Sequence, residues 1–287
     1  VVHSNGLKAH ITAAFATPRG TRLVWHLHEY VRRRPLTARL LRACAGRADG
    51  FVTTSDSVRA DAAALFGPSA NVRRIHNAVD LAAFTSDGPR LDLAALAGLP
   101  PDAGLVRVGL VATFGRWKGH DVFIDAVAKL QESVQVRAYV VGGAVYETVG
   151  SQWSLAELRA LAARRGLSGV VGFTGHIADM PAALRSLDIV VHASTQPEPF
   201  GMVIAEAMAS GRAVVAARAG GAAELFADQV EAVGFASGSV SDLADRIREL
   251  VVDPARRAAL GAAARRAACE KFSPDRMAAE FREVYQG

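Results

Sequence analysis

Short apolar runs alternate along this chain with longer stretches of helical periodicity. Val-rich runs predict strands at Leu23–Leu27, Phe51–Thr54, Val72–Ile75, Val106–Val111, Val136–Val141, Val170–Phe173, Ile189–His192 and Ala213–Ala216, and the chain opens inside a strand at Val1-Val2-His3. Between them, the 3.6-residue period predicts helices over Pro35–Ala45, Ser57–Phe66, His120–Gln131, Ser154–Arg165, Met180–Ser186 and Met202–Ser210; Ser241–Gln286 reads as helical throughout. Ser55 or Asp56 is expected to cap the helix that begins near Ser57. Continuous apolar strands separated by helices are the pattern of βαβ units on a parallel sheet.

The stretch Thr85–Gly104 interrupts this alternation. It carries Asp87-Gly88-Pro89 and Pro100-Pro101 and reads as a linker with a small helix inside. The expected architecture is therefore α/β, with two Rossmann-like domains joined by a linker. A first domain covers residues 1–84, the linker 85–104 and a second domain 105–272, with a last helical segment over 273–287. The first domain has about four strands and is expected to be incomplete, lacking the opening β-α-β unit. A length of 287 residues suits two such domains.

Composition narrows the class. No apolar run approaches the roughly 18 residues a membrane span needs, and no stretch reads as a signal peptide. Cys44 and Cys269 have neither metal-ligand spacing nor a disulfide framework, so a cytoplasmic location is expected. The net charge of +5 is uneven. Residues 1–60 hold ten basic side chains (Lys8, Arg19, Arg22, Arg32, Arg33, Arg34, Arg39, Arg42, Arg47 and Arg59) against Glu29, Asp49 and Asp56, leaving the remainder slightly acidic. That asymmetry points to an anionic partner on the first domain or to a solvated Arg-rich face. Peripheral contact with a membrane is one expectation; nucleic acid is not, because no aromatic-interleaved basic platform accompanies the charge.

The chemistry concentrates in Glu198-Pro199-Phe200-Gly201-Met202-Val203-Ile204-Ala205-Glu206, which leads from a strand into a helix. A helix start offers unpaired N–H groups and the positive end of a dipole, suited to a diphosphate. Gly201 allows close approach of the backbone, and the carboxylate of Glu206 can accept both hydroxyls of a ribose. No Asp-x-Asp triplet is present to hold a metal, so neither a metal nor another cofactor is expected.

This string resembles the E-x7-E signature of the retaining family-4 glycosyltransferases, which adopt the two-domain GT-B fold; the resemblance implies parallel sheets that face a cleft and a last helix over 273–287 that packs back on the first domain. Four further segments support the resemblance. Gly115-Arg116-Trp117-Lys118-Gly119 is similar to the family's phosphate-binding element, Phe173-Thr174-Gly175 to its base-side loop, Gly220-Gly221-Ala222-Ala223-Glu224 to its Gly-Gly-x-x-Glu turn, and Asn77-Ala78-Val79-Asp80 with Phe84 to the element leading into the hinge. The resemblance implies a metal-independent transferase that moves a sugar, with retention of configuration, from a UDP- or GDP-linked donor to a glycan or lipid-linked acceptor.

It also implies residue roles. Arg116 and Lys118 neutralise the leaving diphosphate, although they are closer together here than the family pattern has them. Glu198 and the amides of Phe200, Gly201, Met202 and Val203 hold sugar and phosphates, Glu206 binds the ribose, and Thr174, Gly175 and His176 border the base. Gly143 lies in a loop that, with Tyr146, is placed to approach the donor; His28 is similar to the pocket histidine facing the transferred sugar. His3, His10, His26 and His192 are expected to be structural; Trp117 and Trp153 either flank the cleft or pack. The competing readings are a sugar-nucleotide epimerase or a phosphorylase on the same fold, and a non-catalytic donor-binding fragment.

Overall fold

The structure is a computed structural model describing residues 1–101, 104–145 and 150–286. The first domain runs β1 (Val2–Asn5), α1 (Leu7–Ala16), β2 (Leu23–Leu27), α2 (Pro35–Cys44), β3 (Gly50–Thr53), α3 (Asp56–Phe66), β4 (Val72–Arg74). Its strands form a sheet in the order β1-β2-β3-β4, all parallel. Every residue of β2 and β3 is buried, which is why apolar residues dominate them on both faces, with His26 and Thr53 as the polar exceptions. Ser55 caps α3 by accepting from the Val58 amide, so Asp56 is already in the first helical turn.

The linker carries the short α4 (Leu93–Ala97). The second domain then runs β5 (Val106–Val111), α5 (His120–Leu130), β6 (Val136–Val141), α6 (Leu155–Arg164), β7 (Val171–Gly175), α7 (Met180–Arg185), β8 (Ile189–His192), α8 (Met202–Ala209), β9 (Ala213–Ala217) and β10 (Val233–Phe235). These strands make a six-stranded parallel sheet, β10-β9-β8-β5-β6-β7. Separate apolar clusters cover its two faces.

The C-terminal stretch is three helices rather than one: α9 (Val240–Val252), α10 (Pro254–Lys271) and α11 (Pro274–Gln286). Asp253 caps α10 by accepting from the Arg256 amide, and Pro254 and Pro274 stand at the two restarts. Proline lacks the N–H and clashes with a preceding turn, so it begins helices and interrupts a continuous one.

The last helix lies against the first domain. Phe281 and Val284 of α11 are buried with Val24, Val52 and Ile75, and Arg73 pairs with Glu283 at 3.2 Å. The segment joining the domains is fastened to the end of the chain. The amide of Val79 donates to the Phe272 carbonyl at 2.9 Å, and Arg265 reaches the Phe84 carbonyl at 2.7 Å.

Candidate active site

The strand order of the second sheet reverses between β5 and β8. Loops leaving their C-terminal ends diverge to opposite faces and open a crevice, the usual ligand position in such sheets. Here the crevice lies between Gly115–Gly119 and residues 193–200. The Thr195 amide donates to the Trp117 carbonyl at 2.8 Å, holding the two loops together. Gly119 has φ 72°, and a Cβ there would run into the Ala193 carbonyl oxygen, so the approach requires glycine.

Glu198 is at the centre. One of its oxygens, Oε1, accepts from Lys118 Nζ at 2.8 Å, from His192 Nε2 at 2.9 Å and from the Ser194 hydroxyl. Only 6% of Glu198 is exposed. Burial alone would push its pKa up, but the hydrogen bonds and charges of His192 and Lys118 outweigh it and hold the carboxyl well below the usual range. Glu198 is therefore an ionised acceptor. His192 must carry its hydrogen on Nε2, which leaves its buried Nδ1 without a partner.

The same loop enters α8. Gly201 occupies the N-cap position at φ 102°, and the first bond across this turn runs from Ile204 to the Gly201 carbonyl. The amides of Gly201, Met202 and Val203 have no acceptor among the described residues, so they present N–H groups and the positive helix end. Phe200 is buried beneath them against Phe272 and His76. The carboxylate of Glu206, one turn into α8, has no hydrogen-bond or ion-pair partner among the described residues. Burial raises its pKa above the ordinary value. An unpartnered carboxylate in that setting is short of donors.

Gly143 and the segment Thr174–His176 sit at the adjoining strand ends. The Gly142 amide donates to the Gly175 carbonyl at 3.0 Å, the Phe114 amide donates to the Gly143 carbonyl at 3.0 Å, and Gly143 lies against His176. Arg116 is placed apart from Lys118. Its guanidinium pairs with Glu157 at 3.0 Å and stacks over Trp153 at 4.0 Å, so it does not join the Glu198 cluster. Trp117 lines a cavity of about 480 Å3 with Tyr30 and Pro197, whereas Trp153 packs partly buried against the second-domain core. Tyr146 lies outside the described residues.

Across the cleft, His28 lines a cavity of about 800 Å3 together with Asn5, Asn77, Met202 and Arg282. Its ring is 4.0 Å from that of His26, which is 5.3 Å from His3. Burial, then repulsion from the other histidines, takes His26 down to about 3; burial and His3 lower His28. The row is neutral at ordinary pH. Among the described residues, no group of three or more His, Cys, Asp or Glu is arranged to hold a metal ion.

Sequence reasoning missed the residues that join the domains. The Glu224 carboxylate accepts from the Asp56 and Ser57 amides, both at 2.7 Å, and so caps α3 from the opposite domain. The Tyr30 hydroxyl donates to the Glu198 carbonyl at 3.0 Å and lies 2.9 Å from Ser57 Oγ. Arg33 stacks on Tyr30 and donates to the Pro197 carbonyl at 3.2 Å, and Thr54 donates to the Pro199 carbonyl at 3.3 Å. The backbone on either side of Glu198 is thus gripped by the first domain.

Two parallel-sheet Rossmann-like domains facing a cleft, with a basic loop and a helix mouth at the switch point of the second, define the GT-B class. The chain belongs to the glycosyl transferases group 1 family, whose model matches residues 101–267; a second model, glycosyltransferase family 4, matches residues 1–83. A D-inositol 3-phosphate glycosyltransferase of Xylanimonas cellulosilytica is 35% identical over 83% of this chain and 56% of its own length. A GDP-mannose-dependent alpha-(1-6)-phosphatidylinositol monomannoside mannosyltransferase of Mycobacterium tuberculosis is 30% identical, over 88% of this chain and 66% of its own. The chain thus spans between half and two thirds of these curated relatives. The crystal structure of Anabaena HepE in complex with UDP superposes with a TM-score of 0.88 at 30% identity, covering 98% of this chain and 77% of that one; HepE has also been crystallised with UDP-glucose.

Proposed function

We propose that this chain carries the donor site and cleft of a retaining glycosyltransferase that uses a nucleotide-diphosphate sugar and a glycan or lipid-linked acceptor. The carrying observation is the free helix mouth of α8, with Lys118 fixed beside it by Glu198 and the unpartnered Glu206 one turn further in. In this reading the diphosphate lies against the amides of Gly201–Val203 and Lys118, Glu206 accepts the ribose hydroxyls, and Gly143 with Thr174–His176 borders the base. Binding of UDP by HepE, and the GDP-mannose dependence of the mycobacterial relative, support a uridine or guanosine donor.

The bond between the anomeric carbon and the diphosphate oxygen breaks, and the electron pair leaves with the diphosphate. Lys118 and the amides stabilise the negative charge that develops there. The acceptor hydroxyl adds from the same face, and its proton passes to a diphosphate oxygen. No metal cofactor enters this reading. In this reading Glu198 is a positioning group, because its Oε1 accepts from Lys118, His192 and Ser194 and so holds Lys118 in place. His28 faces the sugar from the first domain, and the acceptor enters by the cavity it lines.

Replacing Glu206 with alanine is expected to weaken UDP binding by about 10- to 100-fold, the equivalent of losing roughly 1–3 kcal/mol of charged hydrogen bonding. Isothermal titration checks this, and an unchanged Kd would remove the ribose assignment and the donor pose with it.

The first domain is proposed to rest on an anionic membrane. Helix α2 leaves Leu36 and Leu40 exposed among Arg32, Arg34, Arg39 and Arg42, and Phe15 of the neighbouring α1 is 80% exposed. Apolar side chains flanked by cations suit an interfacial surface. Among the described residues, no helix is long and apolar enough to cross a membrane. Co-sedimentation with vesicles is expected to rise with phosphatidylglycerol content and to fall in Leu36→Ser/Leu40→Ser; independence of lipid charge would count against it.

A further inference from the structure

A second basic site lies at the opposite edge of the second sheet. Asp188 and Arg212 immediately precede β8 and β9, so they mark the N-terminal end of the sheet, whereas the crevice lies at the C-terminal ends of β5 and β8. At about 3.3 Å per residue, the length of β8 separates the two edges by roughly 13 Å. Here a cavity of about 570 Å3 is lined by Ser86, Asp188, Arg212, Arg257 and Arg265.

Its charge is unbalanced. Asp188, the one carboxylate lining it among the described residues, is already engaged by Arg107 through the backbone amide at 2.8 Å and the guanidinium at 3.0 and 3.1 Å. Among the described residues, the three lining arginines bond only to neutral carbonyls. Arg212 donates through Nε to Ser210, Arg257 through Nη1 to Leu250 and Val251, and Arg265 to Phe84, Ala209 and Leu81. Carbonyls satisfy N–H groups without cancelling charge. Both terminal nitrogens of Arg212, and Nε and Nη2 of Arg257, have no acceptor among the described residues. Burial lowers the pKa of Arg212, and the neighbouring Arg90, Arg107 and Arg185 add to that direction while Asp188 opposes it. Gathering like charges in a half-buried cavity is costly unless an anion joins them.

We propose that this cavity binds a phosphate group, as inorganic phosphate or as a small phosphate monoester, independently of the donor crevice. Two guanidinium groups with free N–H forks match the tetrahedral oxyanion, and a dianion offsets charge that a single carboxylate would leave unmet. The volume lies in the range of about 300–1,000 Å3 usual for small-molecule sites, which leaves room for an organic group on the phosphate.

The test is isothermal titration of the protein with inorganic phosphate and, separately, glycerol 3-phosphate, in chloride buffer at pH 7.5. The wild type is expected to bind at least one of them. Arg212→Gln and Arg257→Gln, each checked for a wild-type thermal melt in the absence of phosphate, are expected to bind at least tenfold more weakly, and Lys118→Ala as the wild type does. Tighter binding of glycerol 3-phosphate identifies the monoester as the ligand class, and equal or tighter binding of inorganic phosphate identifies the free ion. If one arginine variant does not fold, the other decides. No binding of either probe at millimolar concentration overturns the proposal, as does binding unchanged in the folded arginine variants or abolished by Lys118→Ala.

Discussion

Replacing Lys118 with alanine is expected to lower the turnover of sugar transfer by about two to three orders of magnitude, the usual cost of losing one preorganised charge at a developing anion. Lys118 is the basic side chain that the Glu198 cluster fixes at the mouth of α8, and the carboxylate holding it is itself held by His192 and Ser194. Glu198→Gln is expected to lose a similar share of turnover for a different reason. The amide keeps the shape but brings hydrogens toward a site already supplied with three donors, and it leaves Lys118 without a counter-charge. Breaking a buried pair in this way costs roughly 3–5 kcal/mol of stability as well, so its melting temperature should fall. Arg116→Ala is expected to cost less than tenfold, because Glu157 and Trp153 already engage that guanidinium. Steady-state kinetics with UDP release as the readout separates the three. Wild-type turnover in Lys118→Ala, or a larger loss in Arg116→Ala, would mean that the diphosphate sits elsewhere.

Arg116 and Lys118 also show where sequence reading stops. Both stand in one basic turn, and the family resemblance gives both the same diphosphate even though they are closer together than the family pattern has them. Only the fold reveals that Trp153 and Glu157, about 40 positions away, take one of them. The strands were legible because parallel strands buried on both faces are rich in valine and other apolar residues; Val106–Val111 and Val136–Val141, each interrupted by one arginine, have the extent their sequence predicts. Helix α1 was not. It begins at Gly6, which makes no side-chain cap, and it has no acidic first turn and no basic last turn. The three-residue β10 offers no period to read. In the last stretch the breaks stand at Pro254 and Pro274, each of which opens a new helix. The sequence marks His192 only as a strand-end residue and does not mark Ser194, since nothing local identifies them as partners of Glu198. Glu224 was visible as part of a motif, yet its role as a cap for α3 depends on residues from the other domain.

Acidification is expected to unfold the protein before its carboxylates are neutralised. Four histidines, His10, His26, His76 and His120, are at most 9% exposed. Burial is the first cause of a lowered pKa in each: His26 is taken to about 3, and His10, His76 and His120 to about 4. Neighbouring charge adds to this at His120, through Lys118, and at His76, through Arg74 and Arg276. Arg74 donates to His76 Nε2 at 2.7 Å, a bond that a protonated ring cannot accept. In the unfolded chain these groups titrate near 6.5. Between there and about 4 the unfolded state binds protons that the folded state refuses, so stability falls as pH falls; above 6.5 both states are neutral and the contribution is flat. A histidine held from 6.5 to about 4 accounts for about 3 kcal/mol when the effect is fully expressed. His76 and His120 lie in different parts of the molecule, so together they can remove about 6 kcal/mol, comparable with a typical total stability of about 5–15 kcal/mol. His10 and His26 repel each other when charged and add less than twice one site. The lowered pKa of Glu198 acts in the same direction, because the stability it confers is lost as pH falls below the unfolded carboxyl value near 4.5. Melting temperature measured from pH 8 to pH 4.5 should be level above 7 and drop steeply below 6.5, with a shallower drop in His76→Gln. A curve flat to pH 4.5 would show that these rings accept protons in the folded protein, and that their burial is looser than the packing around Phe272 and Phe114 implies.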